Sequence, residues 1–113
     1  MKNSNIFTVM LISCLISMST VFAFDQDKKT LLIFSADWCA YCKMAERDMY
    51  NNHKLSEIVK KYNIIELDYD VDKDVVNGYN IKTIPTFVIM HRGKELNRKI
   101  GYAGVDSLYS FLK

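Results

Sequence analysis

Proline and glycine are scarce in this chain, which has one proline and four glycines among its 113 residues. That scarcity excludes collagen-like chains and disordered chains rich in proline and glycine. Repeats, linkers and low-complexity segments are also missing. Half of the residues are apolar and a quarter are charged, as is typical of a packed globular protein. The length allows one such domain but not two.

A cluster of like charges is missing as well. The net charge is +2, and the basic residues are scattered along the chain rather than grouped. A nucleic-acid-binding protein would carry them as a patch or stripe. We therefore expect no nucleic-acid partner.

Charged residues are absent from residues 6–24, an apolar run that follows the single cation Lys2. Val21 and Ala23 are the small residues expected at a signal-peptidase site, after which the sequence turns polar. We predict a cleaved secretory signal peptide over residues 1–23 and a mature domain over residues 24–113.

Two other interpretations of this leader stay open. The run is just long enough to serve as an uncleaved membrane anchor. The tetrapeptide "LISC" ending at Cys14 is similar to a lipoprotein signal. All three interpretations deliver the domain outside the cytoplasm, so we expect a periplasmic or otherwise extracytoplasmic protein.

The mature chain alternates strand-like and helix-like segments. Strands are predicted for "TLLIFSA", "IIELDYD", "TFVIMH" and "ELNRKIG", the last two forming a hairpin around "RGK". Helices are predicted for "CKMAERDMYNNHKLSEIVKKYN", bent or broken near Asn51 and Asn52, and for "VDSLYSFLK", while "VDKDVVNGYN" is predicted to be a short helix or a turn. The order β-α-β-α-β-β-α predicts an α/β fold, a four-stranded mixed sheet with helices on both faces.

Only two cysteines remain in the mature domain, Cys39 and Cys42, in a C-x-x-C between the first strand and the first helix. Backbone N–H groups and the helix dipole favour the thiolate of Cys39 at the helix start. Cys42, in the first turn, is expected to be buried and to attack a disulfide formed at Cys39. The pattern therefore favours a pair that exchanges electrons.

Three other uses of the cysteine pair are weaker. A structural disulfide across so short a loop would constrain the unfolded chain little. A zinc site would need both His53 and His91, which stand alone in the sequence, and c-type haem attachment needs a histidine where Lys43 stands.

The acidic stretch "DYDVDKD" has Lys73 where a calcium loop needs its glycine, so we expect no metal site.

The segments "FSADWCAYCK", "YNIKTIPTFVIMHRGKEL" and "KIGY" together resemble the thioredoxin superfamily over residues 30–113. The sequence is similar to exported thioredoxin-related proteins and to the periplasmic thioredoxin-like domain of the transmembrane thiol reductant carrier. The resemblance implies a thioredoxin fold and a thiol–disulfide oxidoreductase.

The resemblance also implies roles for individual residues. Cys39 would be the attacking cysteine and Cys42 the resolving one. Pro85 would be the cis-proline beside the site, with Ile84 offering its backbone to substrate. Trp38, Tyr41 and Ile84 would form an apolar rim that binds substrate. A trans proline at a strand start and ordinary packing of the rim residues are the alternatives.

One departure concerns proton transfer. In thioredoxin a buried aspartate six residues before the first cysteine helps to deprotonate the resolving thiol, and here that position is Ile33. Glu66, in the second strand, is the candidate replacement. If it were buried without a partner, its pKa would be raised toward neutrality. The alternative is a Glu66 that reaches solvent or pairs with a lysine.

The direction of electron flow is inferred from the same comparison. The dipeptide Ala40-Tyr41 lacks the charged or histidine forms of strong oxidants, and Ile84 before the proline matches the reductants. We expect an exported monomer that reduces disulfides in other proteins, needs no bound cofactor, and is re-reduced by a membrane thiol reductant carrier. A disulfide oxidase or isomerase, or a non-enzymatic thioredoxin-like binding module, is the alternative.

Overall fold

The computed structural model describes residues 24–113. The leader expected over residues 1–23, with Cys14, lies outside the described residues. The four strands are β1 (Thr30–Ser35), β2 (Asn63–Asp68), β3 (Thr86–His91) and β4 (Lys94–Ile100). The four helices are α1 (Ala40–Asn51), α2 (His53–Val59), α3 (Lys73–Gly78) and α4 (Val105–Leu112). None of the helices within residues 24–113 has the length and hydrophobicity needed to span a bilayer.

The strands form one mixed sheet in the order β2-β1-β3-β4. β1 and β2 are parallel, β3 is antiparallel to β1, and β4 is antiparallel to β3. The predicted α/β fold with a four-stranded mixed sheet is confirmed. β1 and β2 both end at one edge, which we call the carboxyl edge. The opposite amino edge holds their first residues and the β3–β4 turn at Arg92 and Gly93.

β1 is buried on both faces, which explains its unbroken apolar sequence. Leu31 and Ile33 face a core formed with α1, α2 and α4. Leu32 and Phe34 face a smaller core formed with α3. The larger core contains Ala45, Leu55, Ile58, Phe87, Ile89, Tyr102, Leu108 and Leu112.

The predicted break between the first two helices is confirmed and lies at Asn52. Its extended backbone (ψ 121°) ends α1, while its N–H still donates to the carbonyl of Asp48 at 2.9 Å. Its side-chain Oδ1 accepts the N–H of Leu55 at 3.1 Å and so caps α2. One asparagine thus terminates one helix and starts the next.

A hydrogen bond from Tyr102 fixes α1 against the loop after β4. The Tyr102 hydroxyl donates to Oδ2 of Asp48 at 2.6 Å. This bond, with Arg47 adding to it, holds the pKa of Asp48 below its usual value. Burial and the neighbouring Asp48 carboxylate raise the pKa of Tyr102.

The Tyr102–Asp48 bond makes stability depend on pH. Because the folded-state pKa of Asp48 is depressed, its contribution is present above the usual aspartate pKa of about 4 and is lost as pH falls through the folded value. We expect Tyr102→Phe to be less stable at neutral pH and to lose less stability than the wild type between about pH 5 and pH 2. Urea unfolding across that range measures both curves, and parallel curves would contradict the assignment.

Candidate active site

Cys39 is the N-cap residue of α1. The loop from β1 turns back through a hydrogen bond from the N–H of Cys39 to the carbonyl of Ala36 at 3.1 Å. Cys39 then adopts an extended backbone (φ −88°, ψ 110°), and its Sγ accepts the N–H of Cys42 at 3.2 Å. The sulfur therefore lies at the positive end of the helix, where a thiolate is favoured.

Cys39 and Cys42 form a disulfide, with their Cα atoms 5.2 Å apart. That separation lies within the range of about 4.4–6.8 Å found for disulfides. The sequence led us to expect burial at Cys42 only, but both residues are buried, with 6% and 7% of their surfaces exposed. The exposed fraction of each residue therefore does not show which cysteine attacks substrate and which resolves the mixed disulfide. Their difference lies in position, since one caps α1 and the other lies within its first turn.

The Ile84–Pro85 segment lies beside the cysteine pair. The peptide bond between these residues is cis, and Pro85 is buried. The carbonyl of Pro85 accepts the N–H of Gly101 at 2.7 Å, which joins the segment to the end of β4. Pro85 and Cys42 line the same small cavity, of about 30 Å³. The fold thus brings together residues that are more than forty positions apart in the sequence.

Two exposed aromatic side chains flank Cys39. Trp38 has 67% of its surface exposed and Tyr41 has 62%. Ile84, the third residue of the expected rim, is half-buried. Exposed aromatic residues next to a reactive group are suited to contact another protein.

Asp70 is a site residue that the sequence did not reveal. Its Oδ2 accepts the indole N–H of Trp38 at 2.7 Å. β1 and β2 end at the same edge, so the loops that follow them, which carry Trp38 and Asp70, meet there. The parallel arrangement of β1 and β2 is the feature from which contact between Trp38 and Asp70 could have been predicted.

The other carboxylates of the acidic stretch after β2 bind backbone groups of their own loop. Asp68 Oδ1 accepts the N–H groups of Asp70 and Val71 at 2.8 and 3.1 Å. Asp72 Oδ2 accepts the N–H of Asp68 at 2.7 Å. These bonds shape the loop that presents Asp70 to Trp38.

We expect Asp70→Ala to free the indole of Trp38, because the variant removes a charge-assisted hydrogen bond from an otherwise exposed side chain. Trp38 is the only tryptophan among aromatic residues that include seven tyrosines, so fluorescence excited selectively in tryptophan reports on it alone. Fluorescence anisotropy should fall in the variant, while Asp74→Ala, in the adjacent helix α3, should leave it unchanged. Equal anisotropy in wild type and Asp70→Ala would show that the bond does not hold the ring.

Glu66 reaches solvent, which is the alternative that the sequence left open beside a buried carboxylate. β2 is an outer strand of the sheet, so Glu66 has a neighbour on one side only, Ile33, and its side chain is exposed. It nevertheless lines the cavity of about 30 Å³ beside Cys42. Glu46 lines the same cavity. The sequence reasoning missed Glu46, although it lies four residues after Cys42, one turn along the same helix face.

A family model described as thioredoxin matches residues 19–113. The chain belongs to the thioredoxin family. It is 35% identical over 77 residues to thioredoxin H2 of Arabidopsis thaliana, covering 68% of this chain and 56% of that protein. It is 36% identical over 88 residues to mitochondrial thioredoxin-2 of Schizosaccharomyces pombe, covering 78% of this chain and 63% of that protein. The chain therefore spans less than two thirds of the length of these two thioredoxins.

Solved structures of thioredoxins superpose on this chain. Oxidised mitochondrial thioredoxin 3 of Saccharomyces cerevisiae gives a TM-score of 0.64 at 26% identity, covering 75% of this chain and 76% of that one. A thioredoxin-fold protein from Helicobacter pylori gives 0.72 at 19% identity, covering 81% of this chain and 74% of that one, which is a likeness of fold. The thioredoxin fold expected from the sequence is confirmed.

Proposed function

We propose that this thioredoxin-family protein is an exported thiol–disulfide oxidoreductase that reduces disulfides in other proteins. The observation that carries the proposal is the placement of the cysteine pair. Cys39 Sγ caps α1 and accepts the N–H of Cys42, and the Cα atoms of the two cysteines are 5.2 Å apart. A sulfur held there is stabilised as a thiolate, and its partner is close enough to close the disulfide.

The proposed reaction has two exchange steps. The Cys39 thiolate attacks one sulfur of a substrate disulfide, forming a mixed disulfide and releasing the other substrate sulfur as a thiolate. Cys42 then loses its proton and attacks Cys39 Sγ, which releases the second substrate thiolate. Two electrons pass from the protein to the substrate, whose two thiolates take up protons, and the Cys39–Cys42 disulfide remains. No bound cofactor is needed.

Substrate would bind at the surface around Cys39. The exposed rings of Trp38 and Tyr41 supply apolar contact area, and Asp70 orients the first of them. Ile84 would pair through its backbone with an extended substrate segment, with Pro85 holding that segment of the chain beside the sulfurs. This mode fits an unfolded or loop region of a protein better than a small molecule.

Glu66 and Glu46 are the groups that would accept the proton of Cys42. Both carboxylates line the cavity of about 30 Å³ that Cys42 also lines. A space of this size is enough for about one water molecule, and Ser35 adds a third polar group to its wall. A relay through water would replace the buried aspartate of thioredoxin, whose position Ile33 fills.

We expect Glu66→Gln and Glu46→Gln each to slow resolution of the mixed disulfide, and the double variant to slow it by roughly tenfold or more. In the double variant, hydroxide has to remove the proton of Cys42. Its resolution rate should therefore rise more steeply with pH than the resolution rate of wild type. Stopped-flow release of a chromophoric thiol measures this step. Glu57→Gln, a matched change on α2, should have no effect. If the double variant resolves as fast as wild type, neither carboxylate has the role.

The reducing direction is tested by a redox titration of the Cys39–Cys42 pair. A reductant should have a potential near the value typical of thioredoxins, about −270 mV, and well below that of strong oxidants, about −120 mV. A strongly oxidising value would instead support the oxidase or isomerase alternative. The titration uses glutathione or dithiothreitol buffers and mass analysis of the alkylated protein.

Export, a periplasmic location and the electron donor are supported by the sequence of the leader and by the chemistry of the pair. A protein outside the cytoplasm is out of reach of cytoplasmic reductases, so a membrane thiol reductant carrier is the proposed donor. We propose a monomeric protein. Alkylation of Cys39 and Cys42 in cells with and without such a carrier would test the donor, since only its loss should leave the pair oxidised.

A further inference from the structure

Cations are concentrated at the amino edge of the sheet. We define the basic pole as six exposed residues there: Lys28, Lys29, Lys60, Lys61, Arg92 and Lys94. Hydrogen bonds to backbone carbonyls bring several of them together across the fold. Lys28 Nζ donates to the carbonyl of Lys60 at 3.3 Å, and the carbonyl of Lys29 accepts the N–H of Asn63 at 2.9 Å. Arg92 lies in the β3–β4 turn at the same edge, and Lys94 follows that turn.

Carboxylates at this edge neutralise only part of the pole. Asp27 lies 3.8 Å from Arg92, and Glu57 pairs with Lys60 at 3.0 Å. Asp25 and Glu95 lie nearby in the chain, and Glu95 forms its ion pair with Arg98. Within residues 24–113, Lys28, Lys29, Lys61 and Lys94 form no ion pair. The carboxyl edge carries Asp37, Asp68, Asp70 and Asp72 together with Lys43, Lys73 and Lys99, so cations do not predominate there.

An open apolar groove of about 510 Å³ lies beside the basic pole. Leu32, Ile65, Tyr79 and Met90 line it, together with the cations Lys28 and Arg92. It exists because α3, only six residues long, covers this face of the sheet incompletely. Phe24 also lines the groove and keeps 52% of its surface exposed.

We propose that the basic pole binds the surface of a bilayer that contains anionic phospholipids. Lysine and arginine attract anionic headgroups, and an exposed aromatic ring beside them is suited to the interface between headgroups and acyl chains. An acidic protein would explain the cations but not the adjoining apolar groove and exposed Phe24.

Binding in this way fixes the direction in which the cysteine pair faces. β1 and β2 run from the basic pole to the carboxyl edge, and strands of six residues span about 20 Å. Cys39 would therefore face the aqueous compartment, away from the lipid, where it can meet soluble proteins.

Sedimentation with vesicles tests the proposal on the protein in the form that its host exports. Vesicles rich in phosphatidylglycerol should bind it at about 0.1 M salt, and binding should weaken at about 1 M salt as the Debye length falls from about 10 to 3 Å. The double variant Lys29→Glu/Lys61→Glu should bind at least roughly thirtyfold more weakly, because the loss of two cations alone has about that effect and the new carboxylates repel the headgroups. Phosphatidylcholine vesicles should bind little.

The matched control is Lys73→Glu/Lys99→Glu, which changes the net charge equally but lies toward the carboxyl edge. It should bind anionic vesicles nearly as well as wild type. Equal loss in both double variants would show a response to net charge alone and overturn the proposal, as would absence of binding to anionic vesicles or equal binding to neutral ones. Immobilised polyglutamate is the third arm. The protein could bind polyglutamate as tightly as it binds anionic vesicles, with Phe24→Ser changing neither of these two affinities. In that case an acidic polypeptide is the partner and the membrane assignment is wrong.

Discussion

Replacing Cys39 with serine is expected to reduce disulfide reduction to the background rate, whereas replacing Cys42 with serine should produce a protein that its substrates capture. The two sulfurs differ in position on α1. Cys39 Sγ lies at the N-cap, where the thiolate is stabilised, so its loss removes the attacking group. Loss of Cys42 removes only the second step, and the mixed disulfide at Cys39 then persists.

The two variants are compared by insulin reduction and by non-reducing electrophoresis of extracts from the native host. Cys42→Ser should form covalent adducts that disappear on reduction, and their mass spectra identify the substrates. Cys14→Ser is the matched control when the leader is retained, and it should behave as wild type. Full activity of Cys39→Ser would favour the non-enzymatic binding module, and equal trapping by both variants would contradict the assigned order of attack.

Leu31→Ala should strongly destabilise the domain. Leu31 has no exposed surface, lies in central strand β1, and pairs in register with Ile64 and Ile89. Truncating a fully buried leucine removes transfer free energy and leaves a cavity, which together cost about 3–5 kcal/mol. The free energy of unfolding of a native domain is roughly 5–15 kcal/mol in total, so the variant should be close to unfolding.

Leu96→Ala is the control for this prediction, because it makes the same change in a strand at a position with 51% of its surface exposed. Its free energy of unfolding should differ from wild type by about 0.5 kcal/mol or less. Urea unfolding followed by far-ultraviolet circular dichroism measures both. If Leu31→Ala lowers the free energy of unfolding as little as Leu96→Ala does, the larger core does not depend on β1 in the way described.

Much of the fold could be predicted because its local signals agree with one another. β1 is buried on both faces, so its sequence is continuously apolar and too short for a helix. Arg92 and Gly93 both have positive φ, 51° and 79°, as the two-residue turn of a hairpin requires, and "RGK" was predicted as that turn. The break at Asn52 follows from a residue that caps helices well.

The errors and omissions concern contacts that depend on how elements are arranged. The sequence left open whether Glu66 is buried or exposed, because it predicted the strand but not the place of that strand at the outside of the sheet. The bond between Trp38 and Asp70 joins two loops separated by a whole crossover. Burial of Cys39 depends on the surrounding fold, which helix position alone does not reveal.

Competitive alkylation of the reduced protein at neutral pH tests the central claim most directly. Substoichiometric iodoacetamide, followed by mass spectrometry of the peptides, gives the relative rates at Cys39 and Cys42. Attack by a thiolate held at the start of α1 predicts that Cys39 is labelled faster than both Cys42 and a free cysteine peptide. Labelling of Cys39 no faster than that peptide, or faster labelling of Cys42, would contradict it.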